Sequence, residues 1–416
     1  YIIAMINYSE TDQLETPFFL FNAPLLEKEV STIQQLFTNH WSNYMLAYSV
    51  KTNSFPTLGA LMLRMGAAAE VVSEDEYNLV EHIGFAADNI VSNGPIKSAS
   101  WVHSLLNKNA IINIDSKREI DYVIDYVDKN PTKKVSIGIR MNVDIEAYYP
   151  GESKANVDGS RFGFSYENGE LGDVINKIKL HPSIAINGLH LHINTQSRST
   201  EMYRFLVRYF SRVINEYNLD DIAYFDIGGS FFGGMPNKPT WSDYIPAIAD
   251  ELLLQGFDPN KLKLIIEPGI GLLASCFDYV SSVVDIKTIR DIDYAVFDGS
   301  RIHVDPLMHK ENYFYSILPL KSDQNKEVSG QQSLVGFTCM ENDRFFKLHN
   351  QPKLRVGDRI VFHKMGAYTL TLAPLFISYF PPVYMLNNKN EIVCARPKWG
   401  VNEFVQLADI DKNLKK

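Results

Sequence analysis

The sequence predicts an α/β protein: a TIM-like (β/α)8 barrel over residues 23–278, followed by an antiparallel β domain built from residues 1–22 and 279–416. Three observations carry that expectation. Short β-rich runs recur eight times in the first two thirds of the chain, separated by segments long enough for a helix, as in strands that pair in parallel through helical crossovers. The stretch from Ala23 to Cys276 has the roughly 250-residue length of such a barrel. After about Tyr279 strand-like runs continue without helices between them, which marks a separate sheet.

The eight runs are MLAYSV (45–50), AEVVS (69–73), NIVSN (89–93), AIINID (110–115), VSIGIRMN (135–142), INGLHLHIN (186–194), AYFDI (223–227) and KLIIE (263–267). Between them, SEDEYNLVEHIGF (73–85) has helical spacing. TEMYRFLVRYFSRVINEY (200–217) places Met202, Phe205, Leu206, Tyr209, Phe210, Val213 and Tyr217 near one helix face. VDIEAYYPGESKANVDG (143–159) shows little regular pattern. Long loops in compact domains tend to be functional, so this one reads as a lid over the barrel mouth. In the last third, YVSSVVDIKTI, YAVFDGS, SLVGFTC, RIVFH and IVCARP read as strands, KSDQNKEVSGQQS (321–333) as a surface loop and DIDKNLKK (409–416) as a frayed end.

Composition narrows the function. In a chain of 416 residues with 45% hydrophobic and 21% charged residues, a large core can be buried and disorder as the main state is excluded. Forty Lys and Arg against 49 Asp and Glu, a net charge of −9, speak against a general nucleic-acid binder. Three cysteines, Cys276, Cys339 and Cys394, are too few for a disulfide framework and suit a reducing compartment. The N-terminal stretch lacks the basic start and apolar run of a secretory signal. The most apolar window, TLTLAPLFISYFPPVYML (369–386), is interrupted by Pro374, Pro381 and Pro382, which would break a spanning helix. It reads as packed strands and turns. The expectation is a cytoplasmic protein without membrane association.

Barrel enzymes carry their chemistry at the C-terminal strand ends. Those ends hold Lys51; Glu70 and Ser73; Asn93 and Gly94; Arg140 and Asn142; His190, His192, Asn194 and Thr195; Asp226 and the turn Gly228-Gly229-Ser230; and Glu267-Pro268-Gly269. A lysine in a low-dielectric mouth has its charged form disfavoured and becomes an amine nucleophile toward an aldehyde; the plainer alternative is a lysine snorkelling from a strand end. Small residues after a buried strand expose backbone N–H groups that cradle phosphate, although Gly-Gly turns are also ordinary punctuation. HLHIN (190–194) puts two histidines on the same side of a strand. They could ligate a metal, offer one ring to stack on a planar cofactor, or be satisfied core residues. Glu267 behind a buried strand needs a cationic partner: a protonated pyridine nitrogen, or an ordinary Lys or Arg. An amine, a phosphate cradle, a stackable ring and a carboxylate together match the needs of pyridoxal phosphate.

Those same residues resemble, over nearly the whole chain, the alanine-racemase-fold (fold type III) pyridoxal-phosphate decarboxylases, diaminopimelate decarboxylase and eukaryotic-type ornithine decarboxylase. YSVKTN (48–53) is similar to the family's Y-A-V-K-A-N, which implies that Lys51 joins the cofactor aldehyde. AEVVSEDE (69–76) resembles the second-strand motif, with Glu70 at the acidic position on the cofactor side. SRFG (160–163) looks like S-K-F-G. GLHLHINTQ (188–196) resembles G-L-H-x-H-I-G-S-Q and implies that His192 stacks on the pyridine ring and Thr195 reaches the phosphate. FDIGGSF (225–231) matches D-I-G-G-G-F, so Gly228, Gly229 and Ser230 fall to the cofactor, with Ser230 replacing the third glycine. IIEPG (265–269) matches the E-P-G element, with Glu267 on the pyridine nitrogen and Gly269 beside the cofactor. GFTCMENDRF (336–345) looks like G-P-x-C-x-x-x-D-R, which implies that Cys339 reprotonates carbon and Asp343 contacts substrate. GAYT (366–369) matches the phosphate-binding Tyr, giving Tyr368.

The resemblance implies a carboxy-lyase: Glu267 rather than an arginine on the ring nitrogen favours decarboxylation over racemisation. It also implies a head-to-tail homodimer with two shared active sites. Three departures bear on substrate. The family's E-P-G-R reads Ile270 at its last position, which leaves Arg140 or another residue to compensate at the phosphate. Its Arg-Pro reads Asp305-Pro306, and its C-E-S reads Cys339-Met340-Glu341. Two arginines that would grip a distal carboxylate are thus missing, and Coulomb's law favours a neutral or cationic distal group. The expected substrate is a diamino acid or an amino-carboxypropyl group on a larger scaffold. The alternatives are a diaminopimelate decarboxylase proper, an inactive regulatory homologue, and a metal-dependent barrel hydrolase using His190 and His192.

Overall fold

A computed structural model describes residues 6–155, 159–320 and 327–406. The chain divides into two compact units, Glu27–Leu273 and the combination of Tyr1–Leu26 with Ala274–Lys416. These divisions fall a few residues inside 23 and 278.

The first unit is a closed ring of eight parallel strands: β1 (Tyr44–Ser49), β2 (Ala68–Val71), β3 (Ile90–Ser92), β4 (Ile111–Ile114), β5 (Val135–Asn142), β6 (Ile184–His190), β7 (Tyr224–Asp226) and β8 (Lys263–Ile266). Each pairs with the next, β4 meets β5 at Asn113 and Gly138, and β8 closes on β1 at Leu264 and Tyr44. The helices are α1 (Ala23–His40), α2 (Pro56–Arg64), α3 (Glu74–Ile83), α4 (Ala99–Asn107), α5 (Lys117–Lys129), α6 (Glu170–Lys179), α7 (Thr200–Tyr217) and α8 (Trp241–Leu254).

Serines turn strand ends into helix starts. Ser73, Ser98, Ser116 and Ser199 accept the N–H groups of Glu76, Trp101, Glu119 and Met202, at the heads of α3, α4, α5 and α7, and so satisfy donors a helix start leaves open. In α7 the apolar face from Met202 to Val213 is buried, while Tyr217 in the last turn is half-buried. One difference from the sequence reading affects the site. Strand β6 stops at His190, so Leu191 to Asn194 form a loop, and the two histidines do not share a strand.

The second unit is a mixed sheet, not a purely antiparallel one. Phe18–Asn22 runs antiparallel to Phe277–Ile289 but parallel to Val383–Leu386, and Ile292–Phe297 runs parallel to Val328–Val335. Short connections force antiparallel hairpins, whereas long ones allow parallel pairing, and both parallel pairs here join segments far apart in the chain. Part of the expected 321–333 surface loop is strand, because Val328–Val335 pairs with Arg344–Pro352; residues 321–326 and the 409–416 tail lie outside the described residues. No helix among the described residues is long and apolar enough to cross a membrane.

Candidate active site

The floor and the walls of the barrel mouth follow from a two-residue step. Inward positions on a strand recur every second residue. One step reads Ala47, Ala68, Val91, Ile111, Gly138, Gly188, Tyr224 and Ile265. The next reads Ser49, Glu70, Asn93, Asn113, Arg140, His190, Asp226 and Glu267. The first is an apolar plug in which Ala47, Ala68, Val91, Tyr224 and Ile265 pack together. The Tyr224 ring lies across it, and the glycines make room: a Cβ on Gly188 would stand 1.9 Å from Tyr224 Cζ and one on Gly138 2.0 Å from its hydroxyl. That hydroxyl donates to Asn113 Oδ1 at 2.8 Å.

Within the polar step Glu70, Asn93, Asn113, Asp226 and Glu267 form one hydrogen-bonded network, which Lys51 joins. Lys51 Nζ donates to Glu70 Oε2 at 2.6 Å. Asn93 Nδ2 donates to Glu70 Oε1 at 3.3 Å and to Glu267 Oε1. Asn113 Nδ2 donates to Asn93 Oδ1 at 2.9 Å and Asp226 Oδ2 at 3.2 Å, and Asp226 Oδ1 accepts the Gly228 N–H at 3.0 Å. His190 Nε2 lies 3.8 Å from Glu267 Oε2, and neither of its ring nitrogens has a hydrogen-bond partner among the described residues.

Electrostatically this layer is rich in acid. Burial opposes ionisation of Glu70, but Lys51 together with the hydrogen bond from Asn93 outweighs it and holds that carboxyl below its ordinary range. The Lys51 side chain is 38% exposed and paired with Glu70 at 2.6 Å, so it is not enclosed in a dry pocket. Burial pushes Asp226 up to about 7. Burial, and then the neighbouring Asp226 and Glu70, push Glu267 well above the carboxylate range. Burial also drives His190 far down, helped by Arg140, so it is neutral. Glu267 therefore resists ionisation for want of a cation, and a protonated ring nitrogen would supply that cation. The donor atoms of His190, Asp226 and Glu267 lie within 4.8 Å of one another. A metal at this floor would thus use those three groups and not the His190–His192 pair.

His192 sits beyond the strand, where its Nδ1 accepts the Gly229 N–H at 2.9 Å. Burial, with Arg140 and Lys51, lowers it to about 3, so it presents an uncharged ring. The Gly-Gly turn is dictated by close approach. A Cβ on Gly228 (φ +69°) would stand 2.5 Å from His192 Nδ1, and one on Gly229 2.4 Å from the Glu267 carbonyl oxygen. Ser230 adopts φ 69° despite its side chain, and its Oγ donates to Asn194 Oδ1 at 3.1 Å. Thr195 is buried, and its Oγ1 accepts the Arg198 N–H at 3.1 Å. Gly269 approaches Thr52, whose Oγ1 would be 2.3 Å from a Cβ there. Arg140 is anchored by Asp115 at 3.0 Å and lies over the Phe162 ring, while its Nε is buried without a hydrogen bond among the described residues. The 143–159 segment contains a one-turn helix, Ile145–Tyr148, and is pinned to the His192 loop by a bridge between Ser153 and Thr195. Residues 156–158 of it lie outside the described residues.

The remaining expected site residues belong to the β unit. Cys339 is exposed, Met340 half-buried, and the exposed Glu341 pairs with Arg344 at 3.1 Å. Tyr368 is half-buried with φ 56°. Asp343 is buried and organises its own loop: it accepts the Arg301 N–H at 2.8 Å and both the N–H and the hydroxyl of Thr338, at 3.0 and 2.7 Å. Asp305 is buried and fully engaged as well. It accepts from Arg301 Nε and Nη2 at 3.0 and 2.8 Å, from the His309 and Lys310 N–H groups at 3.1 and 2.9 Å, and from the Tyr313 hydroxyl at 3.3 Å. Asp305 is thus paired with Arg301 inside its own loop.

Sequence reasoning missed Asn113 and Tyr224, which the two-residue step would have found, and Asp115. It also missed Lys97, a second buried lysine whose Nζ donates to the Gly94 and Asn113 carbonyls at 3.0 and 2.9 Å and to Glu119 Oε2 at 3.2 Å. Lys97 sits in a loop where no periodicity signals it.

Residues 26–274 match the family described as pyridoxal-dependent decarboxylase, pyridoxal binding domain. The chain is 24% identical to L-glutamyl-[BtrI acyl-carrier protein] decarboxylase of Niallia circulans over 418 residues, covering 95% of this chain and 94% of that one. It is 26% identical to diaminopimelate decarboxylase of Helicobacter pylori over 382 residues, covering 90% and 91%. Its fold matches the crystal structure of diaminopimelate decarboxylase from M. jannaschi with a TM-score of 0.82 at 21% identity, covering 97% and 94%.

Proposed function

The chain belongs to the pyridoxal-dependent decarboxylases and is a pyridoxal-phosphate carboxy-lyase of amino acids, and from that premise we propose a substrate without a free carboxylate at its far end: a diamino acid, or an amino-carboxypropyl group on a larger scaffold. When bound, the cofactor offers an aldehyde to the substrate amine and a ring that draws off the electron pair left as carbon dioxide departs.

The observation that carries the assignment of residues is the single polar layer joining Lys51, Glu70, Asn93, Asp226 and Glu267. Lys51 supplies the amine that holds the cofactor, and Glu70 and Asn93 orient it. Glu267, whose carboxyl burial raises, would face the ring nitrogen and hold a proton there. His192 would offer its uncharged ring to the face of the cofactor. Thr195, Gly228, Gly229, Ser230, Gly269 and Tyr368 receive the phosphate, and Asp115 steadies Arg140 beside them. Cys339, exposed on a loop whose base is fixed by Asp343, donates a proton to the carbon that lost carbon dioxide. It does so in a second copy of the chain, in a head-to-tail cytoplasmic homodimer, with Met340 and Glu341 flanking the substrate.

The substrate class is supported by Asp305, which stands where the resemblance implies an arginine that would grip a distal carboxylate. Asp305, neutralised by Arg301, neither grips nor repels. The Niallia circulans relative, by its name, acts on a glutamyl group held by a carrier protein, which is an amino acid on a larger scaffold. Carbon dioxide release from a panel of L- and D-amino acids, with meso-diaminopimelate included, tests the reading. Release from diamino acids or carrier-linked amino acids, with little from meso-diaminopimelate, is expected. Efficient turnover of meso-diaminopimelate would refute the substrate class, and no release from any of them would refute the activity.

A further inference from the structure

Beside the phosphate-cradle residues, three cations gather without a counter-ion. Arg198 and Lys238 both lie against the Phe232 ring, at 4.9 and 5.1 Å from its centroid. Lys154 is close enough that, after burial, the charges of Arg198 and Lys238 are what push its ammonium below the ordinary range. None of the three forms an ion pair among the described residues, and Arg198 Nε is buried without a hydrogen bond. In a chain of net charge −9, this is a local reversal of sign.

The cluster is built rather than incidental. The Tyr244 hydroxyl donates to the Arg198 carbonyl at 2.7 Å and accepts the Phe232 N–H at 3.4 Å, which ties two of the segments together. The third is tied by the Lys154 N–H to the Asn194 carbonyl at 3.1 Å and by the Gln196 N–H to the Glu152 carbonyl at 2.8 Å. The acid that accompanies these bonds, Glu152, accepts the Ser197 N–H at 2.9 Å and pairs with none of the three cations among the described residues. Three like charges held together repel one another, and an arrangement that holds them in place is stabilised by an anion. A guanidinium fork flanked by two ammonium groups suits the oxygens of a phosphate better than a single carboxylate.

We propose that Arg198 and Lys238 on the Phe232 ring, together with the neighbouring Lys154, form a subsite for a phosphate ester. Two sources share that chemistry: the cofactor's own phosphate, for which Arg198 would replace the arginine missing at Ile270, and a phosphate on the far end of the substrate's scaffold. The second source rests on the substrate class proposed above; the binding site itself does not.

The test uses R198Q and the double variant K154Q/K238Q, whose lysines are exposed, so that a folding defect in the first leaves the second informative. Pyridoxal phosphate and phosphate-free pyridoxal are titrated into cofactor-free protein by absorbance. Inorganic pyrophosphate is titrated into the loaded protein by calorimetry. If the cofactor is the source, both variants lose about tenfold or more in affinity for pyridoxal phosphate and none for pyridoxal, an effect that salt weakens. If the substrate is the source, both cofactor affinities hold, while the loaded protein loses its saturable pyrophosphate binding by a similar factor. Unchanged binding in both assays overturns the proposal. Carbon dioxide release from a phosphate-free amino acid separates the two readings, since the subsite can fail while that release persists, and phosphate binding can persist where release fails.

Discussion

The barrel mouth and the β unit bury carboxylates in opposite ways. In the mouth, Asp226 and Glu267 have too few positive partners, and burial drives both toward the protonated form. In the β unit, Asp305 accepts five hydrogen bonds and Asp343 three, from donors within a few residues of chain or on one neighbouring loop. A buried acid saturated by its own domain is architecture. A buried acid short of a cation is a place where a ligand completes the charge balance. The two lysines obey the same rule: Lys97 is fully enclosed by two carbonyls and Glu119, whereas Lys51 is partly exposed at the mouth.

Substitutions can sharpen or break this comparison. The largest expected effect is on Glu267. E267Q keeps the hydrogen-bonding shape but cannot hold a protonated ring nitrogen, so kcat falls by about 100-fold or more while the melting temperature holds or rises. A larger loss of stability than of activity would make Glu267 architectural. D305N should behave in reverse, because Arg301 is left without its anion. It costs about 3 kcal/mol of stability, read by denaturant unfolding, with kcat per folded molecule little changed; a selective loss of kcat would return Asp305 to the substrate site. G188A, which drives a Cβ into Tyr224, costs about 1–3 kcal/mol, and Y224A in the same chain should recover part of it.

A further test is in pH. Asp226 is raised from 3.8 to about 7, so the unfolded chain releases its proton first. The contribution of Asp226 to stability is complete below its ordinary value and is lost as pH rises through about 7. In cofactor-free protein D226N flattens that decline, and melting curves from pH 4 to 8 show it; identical slopes would mean that Asp226 is already ionised.

How much of this was legible in the sequence depended on periodicity. Strands of period two and capped helices between them mark the barrel, and the residues at its strand ends converge as the register requires. Asn113 follows the same step and could have been found. His192 was displaced from its strand because β6 ends at His190, a boundary that His-Leu-His-Ile-Asn does not announce. The mixed pairing of the second sheet depends on contacts between residues 18–22 and 383–386, and no local pattern carries contacts that distant. The partner of Asp305 was hidden for a related reason. Its position against a family motif was visible, but its pairing with Arg301 is a matter of side-chain geometry at one helical turn.

The central claim is that Lys51, at the acid-rich mouth, is the amine that takes the cofactor. Borohydride reduction of the pyridoxal-phosphate-loaded protein, followed by peptide mass spectrometry, tests it directly. The account predicts the added cofactor mass on the peptide that contains Lys51 and its absence in K51A. A label on Lys97, or none on either lysine, would contradict it.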